Sequence, residues 1–310
     1  MRIDFEAPPR GAYAGLEDLL ALRFAARQLD VTSRRKALSR LSGGNAASFR
    51  GRGIDFDEVR GYQPGDDIRA IDWRVTARTG DAHTKLFHEE RERPVLIAVD
   101  QRPGMFFGSR NCFKSVLAAH LAALIAWSAL AAGERVGGLV FGSEGHRDCR
   151  PRRHRSSVLS LLSTVCEFNA SLRDPTAADS GVDPLAKLRR IARPGSSVFL
   201  ISDLAGLLDT RAREQFYQLN RHLELTLLHC SDPLEDTPPP PGNYTISDGR
   251  RRRTLAIGND SQRRAIDGAV ARRRSERDAL LRGLAVPCLA ASTLQAPLPL
   301  LRAVYGVRGA

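Results

Sequence analysis

Apolar and polar positions alternate in blocks along most of this chain. Val95–Val99 is an unbroken apolar run ending at Asp100, and Ser197–Ser202 ends in the same way at Asp203. Runs of this kind suit strands buried on both faces of a parallel sheet. Further strands are expected at Val136–Gly142, Glu224–His229 and Cys288–Ser292. Between them, helical spacing fits Ser109–Ala132, Ser156–Phe168, Asp183–Ala192 and Thr210–His222. Alternating strands and helices predict an α/β fold, a doubly wound and mostly parallel sheet with helices on both faces. Sites in such sheets gather at the carboxyl ends of strands, which singles out Asp100 and Asp203.

The flanks read differently. Residues 16–41 have the apolar spacing of a helix with an Arg-rich outer side, broken near Asp30. Residues 42–53 read as loop, Ile54–Tyr62 as a strand, and Pro64-Gly65 as the centre of a type II turn. Alternation at Ile71, Trp73, Val75 and Ala77 predicts a second strand, making an N-terminal helix and hairpin extension. Beyond Pro238–Pro241 and Gly242 we expect a hairpin (Tyr244–Ile246 with Thr254–Ile257), a helix at Ser261–Leu284 and the last strand. The expected divisions are therefore 1–93, 94–241 and 242–310, the last joining the same sheet.

Composition removes whole classes of function. The 310 residues carry 47 Lys+Arg against 35 Asp+Glu, a net +12, and five scattered cysteines without a C-x-x-C pair. A disulfide framework is not expected, and the opening residues have no secretory pattern, so the expected setting is the cytoplasm. Val116–Ala132 is apolar over 17 residues but Ala-rich, and a buried sheet-covering helix is the expectation. Only Lys36, Lys85, Lys114 and Lys187 are lysines, and none follows a glycine, so no phosphate-cradling P-loop is present. Zinc-protease, nucleophile-elbow and dinucleotide fingerprints are absent too. The chain is read as a non-enzyme without a cofactor.

Arginine clusters at Arg147–Arg155, Arg250–Arg253 and Arg272–Arg274. Such runs could neutralise phosphates, but aromatics make up only 6% and are not interleaved with them. Nucleic acid is the weaker alternative, and an acidic protein surface or the anionic membrane face is at least as good a target.

The segments Gly51-Arg-Gly-Ile-Asp-Phe, Val59-Arg-Gly-Tyr-Gln-Pro-Gly-Asp-Asp-Ile-Arg-Ala-Ile-Asp-Trp, Thr76-Ala-Arg-Thr-Gly and Lys85-Leu-Phe-His-Glu-Glu-Arg-Glu-Arg form one ordered pattern. It continues through Asp100, Met105-Phe-Phe-Gly, Val140-Phe-Gly and Ile201-Ser-Asp-Leu. This pattern resembles the family called domain of unknown function 58. The resemblance implies a von Willebrand factor A-like sheet and a working partnership with a MoxR-type AAA+ ATPase on an unknown client complex. Within the motif, Asp66, Asp67 and Asp72 alternate with Arg69, Arg74 and Arg78, beside Tyr62, Pro64, Gly65 and Trp73. These residues would either fix the segment against the sheet or offer an aromatic and arginine interaction surface.

A-type domains resembling this one hold a divalent ion on Asp-x-Ser-x-Ser, with a Thr and a later Asp from other loops. Here the matching positions read Asp100-Gln101-Arg102-Pro103-Gly104, the later Asp matches Asp203, and no Thr occurs near Asp179–Asp183. A divalent ion about 4 Å from a guanidinium costs roughly 8 kcal/mol at an effective dielectric of 20. The resemblance thus implies a degenerate metal site. Either Arg102 replaces the ion, pairing with Asp100, Asp203 or both, or it faces solvent while backbone N–H groups satisfy the carboxylates. His83 and His88, five apart, are not expected to share a metal, and Ser202 is read as structural. The implied role is a non-enzymatic adaptor or assembly factor, with a metal-dependent (Mg/Mn) ligand binder and a basic nucleic-acid binder as alternatives.

Overall fold

The computed structural model describes residues 4–32, 59–62, 71, 73–85, 93–143, 145–173, 183–237, 240–247, 252–258, 260–284 and 286–307. The chain falls into two compact units, one made of Met1–Gly44 with Arg93–Ala310 and the other of Asn45–Glu92. The helix near the N-terminus therefore belongs with the sheet, and the boundary expected at residue 93 separates only the middle segment from it.

In the smaller unit, β1 (Val59–Gly61) and β2 (His83–Lys85) pair antiparallel around α2 (Trp73–Thr79). The Tyr62 amide donates to the Ala82 carbonyl at 2.7 Å, and the His83 amide to Thr76 Oγ1 at 3.0 Å. The strand expected over Ile71–Ala77 is thus a helix. Its alternation misled because every residue of α2 is solvent-facing or half-buried, so no buried face fixes a period.

The larger unit is a six-stranded sheet of β3 (Val95–Gln101), β4 (Val136–Gly142), β5 (Gly145–Arg152), β6 (Ser197–Ser202), β7 (Glu224–Ser231) and β10 (Cys288–Ser292). From one edge the order is β5-β4-β3-β6-β7-β10, all parallel except β5. This mostly parallel, doubly wound order is the expected α/β fold, to which β5 adds an antiparallel edge that was not expected. A separate hairpin, β8 (Gly242–Ser247) and β9 (Arg252–Ile257), precedes the final helix-and-strand passage.

Both faces of β3 are buried, as its unbroken apolar run requires. Val95, Ile97 and Val99 join one core, and Leu96 and Ala98 the other. The first core packs α1 (Leu16–Ala25), α3 (Lys114–Ala131), α4 (Arg155–Ser171) and α9 (Pro297–Tyr305); the second packs α5 (Pro184–Ile191) and α6 (Thr210–His222). Helix α3 is the one described helix long and apolar enough to cross a membrane, and 83% of that stretch is buried against the rest of the unit. Its many alanines let it lie close under α1, where Trp127 Nε1 donates to the Leu19 carbonyl at 3.0 Å. Close approach also explains Gly138 in β4, where a Cβ would sit 2.2 Å from the Ile97 carbonyl oxygen.

Three further differences from expectation have physical causes. Helix α3 starts at Lys114 rather than Ser109, because a short 3-10 turn (Pro103–Met105) and a loop carry the chain across the strand ends first. Strand β5 escaped notice because of its eight residues only Cys149 is buried; its Arg and Pro content is that of a protected sheet edge. Helix α9 was obscured by Pro297 and Pro299, which are tolerated in a first helical turn.

Leu124→Ala, in the fully buried stretch of α3, is expected to lower unfolding free energy by about 2–5 kcal/mol. Leu16→Ala, at an exposed position of α1, is expected to cost well under about 1 kcal/mol in the same urea titration.

Candidate functional site

Strand order reverses between β3 and β6, which lie side by side at the sheet centre. From their carboxyl ends the chain runs to α3 on one face and to α6 on the other, opening a crevice between the loops. Asp100, near the end of β3, has no exposed surface. Its Oδ1 accepts from the Arg102 backbone N–H and from Arg102 Nε, both at 3.0 Å. Its Oδ2 accepts from Arg102 Nη2 and from Ser202 Oγ, both at 2.6 Å. The guanidinium also lies 5.5 Å from the Phe141 ring centroid. Arg102 therefore turns inward onto Asp100 in a two-pronged, charge-assisted pair rather than out to solvent.

Asp203 has a different cation. Lys114, at the start of α3 and 1% exposed, donates from Nζ to Asp203 Oδ2 at 2.8 Å and to Glu235 Oε1 at 2.6 Å. Glu235 belongs to a short helix, α7 (Pro233–Asp236), and its other oxygen caps the Asp232 amide at 3.0 Å. Asp232 is itself buried, accepting from the Ser109 amide at 2.9 Å and from Thr293 Oγ1 at 2.7 Å. The loops after β3, β6, β7 and β10 are thus joined through carboxylates. Leu204, next to Asp203, has φ of 60° with its amide on Ser202 Oγ at 2.9 Å. A bulky side chain in the left-handed region holds only where the surroundings impose it.

Burial alone would lift the Asp203 carboxyl, but Lys114, with help from the Ala205 amide and Arg102, brings it below the ordinary carboxylate range. Burial would likewise depress Lys114, and the two carboxylates reverse this and raise it. His229, at the carboxyl end of β7, is pushed down to about 4, first by burial and then by Arg277.

The residues were tested against the divalent ion implied by the resemblance. Mg²⁺ demands near-octahedral oxygen donors. Both Asp100 oxygens accept from Arg102 or Ser202, and Asp203 Oδ2 accepts from Lys114. At the two hydroxyl positions stand a guanidinium and Gly104, where even a Cβ would lie 3.3 Å from Asp203 Oδ2. The donor set does not fit a divalent ion. Among the described residues no group of three or more His, Cys, Asp or Glu could hold a metal.

Of the site residues expected from sequence, the structure joins Asp100, Arg102, Gly104 and Asp203 in one crevice. Tyr62, Trp73 and Arg78 belong to the smaller unit, and Trp73 is 67% exposed. Pro64, Gly65, Asp66, Asp67, Arg69 and Asp72 lie outside the described residues, as does His88. Sequence reasoning missed Lys114, Glu235 and the donor role of Ser202. A signal was available: a lone lysine at the head of an apolar, Ala-rich helix needs buried counterions.

The protein is of the class of doubly wound α/β sheets, with a crevice closed by internal cations. The chain belongs to the family described as protein of unknown function DUF58, which matches residues 58–276. The uncharacterized proteins Rv1480 of Mycobacterium tuberculosis and Mb1516 of Mycobacterium bovis are each 28% identical over 276 residues, covering 88% of this chain and 85% of theirs. Among solved structures, an aerotolerance-related membrane protein from Bacteroides fragilis shares 14% identity at a TM-score of 0.36, over 68% of this chain and 96% of that one. The conserved hypothetical protein BatB from Bacteroides thetaiotaomicron shares 12% identity at a TM-score of 0.31, over 61% and 99%.

The paired carboxylates and the desolvated imidazoles each have measurable consequences. Lys114→Met strands two carboxylates and is expected to cost about 3–5 kcal/mol in urea unfolding. Millimolar Mg²⁺ or Mn²⁺ is expected to leave the thermal midpoint of the unaltered chain where it is. Stability is also expected to fall as pH drops from 6.5 towards 4, because unfolded His120 and His229 take up protons that their folded forms, both lowered to about 4 by desolvation, refuse. His120→Gln should flatten that part of the pH–stability curve.

Proposed function

We propose that this chain is a non-enzymatic protein-interaction adaptor working with a MoxR-type AAA+ ATPase on a client complex. The observation that carries this reading is the state of the crevice where such sheets place their chemistry. Each carboxylate there accepts hydrogen bonds from Arg102, Lys114, Ser202 or backbone amides, so none stands ready as a nucleophile or base. A rigid crevice of this kind supports recognition by shape and charge. The ATPase partner is brought in by the family resemblance, and it would supply the nucleotide hydrolysis for which this chain has no P-loop.

In this reading the chain acts in the cytoplasm. The burial of α3 within the sheet's own helix layer supports a structural use of that helix rather than an anchoring one.

Affinity-tagged chain co-expressed with its neighbouring AAA+ protein is expected to retain that protein on a column in at least one of the ATP-, ADP- or nucleotide-free states. Failure to retain it in all three, from an expressed and soluble pair, would remove the reading.

A further inference from the structure

A small cleft lies under α8 (Asp260–Leu284), beside the carboxyl ends of β6 and β7, with room for about 40 Å³. That volume holds a few waters or one carboxylate-sized group, and not a nucleotide. Its lining divides into two sets. Asp203 and Glu235 are held by Lys114, and Asp236 pairs with Arg277 at 3.6 Å. Arg273, Arg274, His229 and Ser231 also line the cleft, and none of their side chains has a hydrogen-bond or ion-pair partner among the described residues.

His229 is the telling member. It is only 7% exposed, yet its imidazole borders the cleft without a partner. Its ring nitrogens are not among the sealed-off polar atoms, so the cleft is where they meet water, and an oxyanion seated there would replace that water. Kept neutral at physiological pH, it can donate one hydrogen bond to an oxyanion without adding charge. Arg273 and Arg274, exposed residues of α8 that line the same cleft, each offer the forked donors that suit a carboxylate.

We infer that this cleft is a docking pocket for a single carboxylate of a protein partner, with Arg273 and Arg274 as the clamp and His229 and Ser231 as the floor. The occupant is an acidic side chain or chain terminus, because the space admits one such group and the open lip admits the polypeptide carrying it. This deepens the adaptor reading by naming the chemistry the partner must present. The two fail separately: loss of ATPase co-purification leaves carboxylate binding intact, and loss of carboxylate binding leaves co-purification to other surfaces.

Fluorescence anisotropy of the full chain with labelled hexaglutamate tests the pocket, with labelled hexaglutamine, inorganic phosphate as competitor, and duplex DNA as companion arms. Hexaglutamate is expected to bind and hexaglutamine not. Arg273→Ala with Arg274→Ala, at exposed positions where folding is checked by circular dichroism, is expected to weaken binding by about tenfold or more. Arg263→Ala with Arg264→Ala removes the same charge elsewhere on α8 and is expected to change affinity by less than about twofold. Equal losses in the two double variants, or no hexaglutamate binding, would overturn the pocket. Displacement by phosphate at lower concentration than by free acetate, or preference for DNA, would overturn the carboxylate assignment.

Discussion

One ammonium group holds the working end of this protein together. Lys114 is almost wholly buried and sits between Asp203, just after β6, and Glu235, in α7 after β7. A charge taken out of water is costly unless its partners are close and well aligned. That constraint sets where α3 begins, where the loop after β6 turns and why α7 is capped as it is. Beside it, Arg102 does the same for Asp100 within its own loop. The two cations divide the crevice's two carboxylates, Asp100 and Asp203, between them. Electrostatic compensation for both carboxylates is therefore supplied by the polypeptide itself.

The sheet itself was largely legible. Val95–Val99, Val136–Gly142 and Ser197–Ser202 are buried on two faces, and a residue buried on two faces has little freedom in what it can be. Asp100 and Asp203 stood out for the same reason, as polar full stops on apolar runs. Elements with one face in water were harder. Strand β5 has a single buried side chain, and α2 has none, so neither leaves a hydrophobic period to read.

Site partners were legible only where they lie close in sequence. Arg102 is two residues from Asp100, and its pairing could be anticipated. Lys114 meets Asp203 across 89 residues and Glu235 across 121, and nothing local announces that meeting. His229 and Arg273 are similarly remote, brought to one cleft by the return of α8 over the sheet.

The chain also closes on itself at its extremities. Leu29 and Gly306 form an antiparallel bridge, the Asp30 amide reaches the Tyr305 carbonyl at 2.7 Å, and Arg302 grips Glu6 at 2.8 Å. These contacts span nearly the whole polypeptide, and closing so long a loop is entropically slow. During synthesis, the face of α3 that α9 packs against stays uncovered until the chain has reached Pro297. A ribosome-bound chain halted before α9 would thus expose an apolar seam, which makes this segment the natural point of capture by folding helpers in the cell.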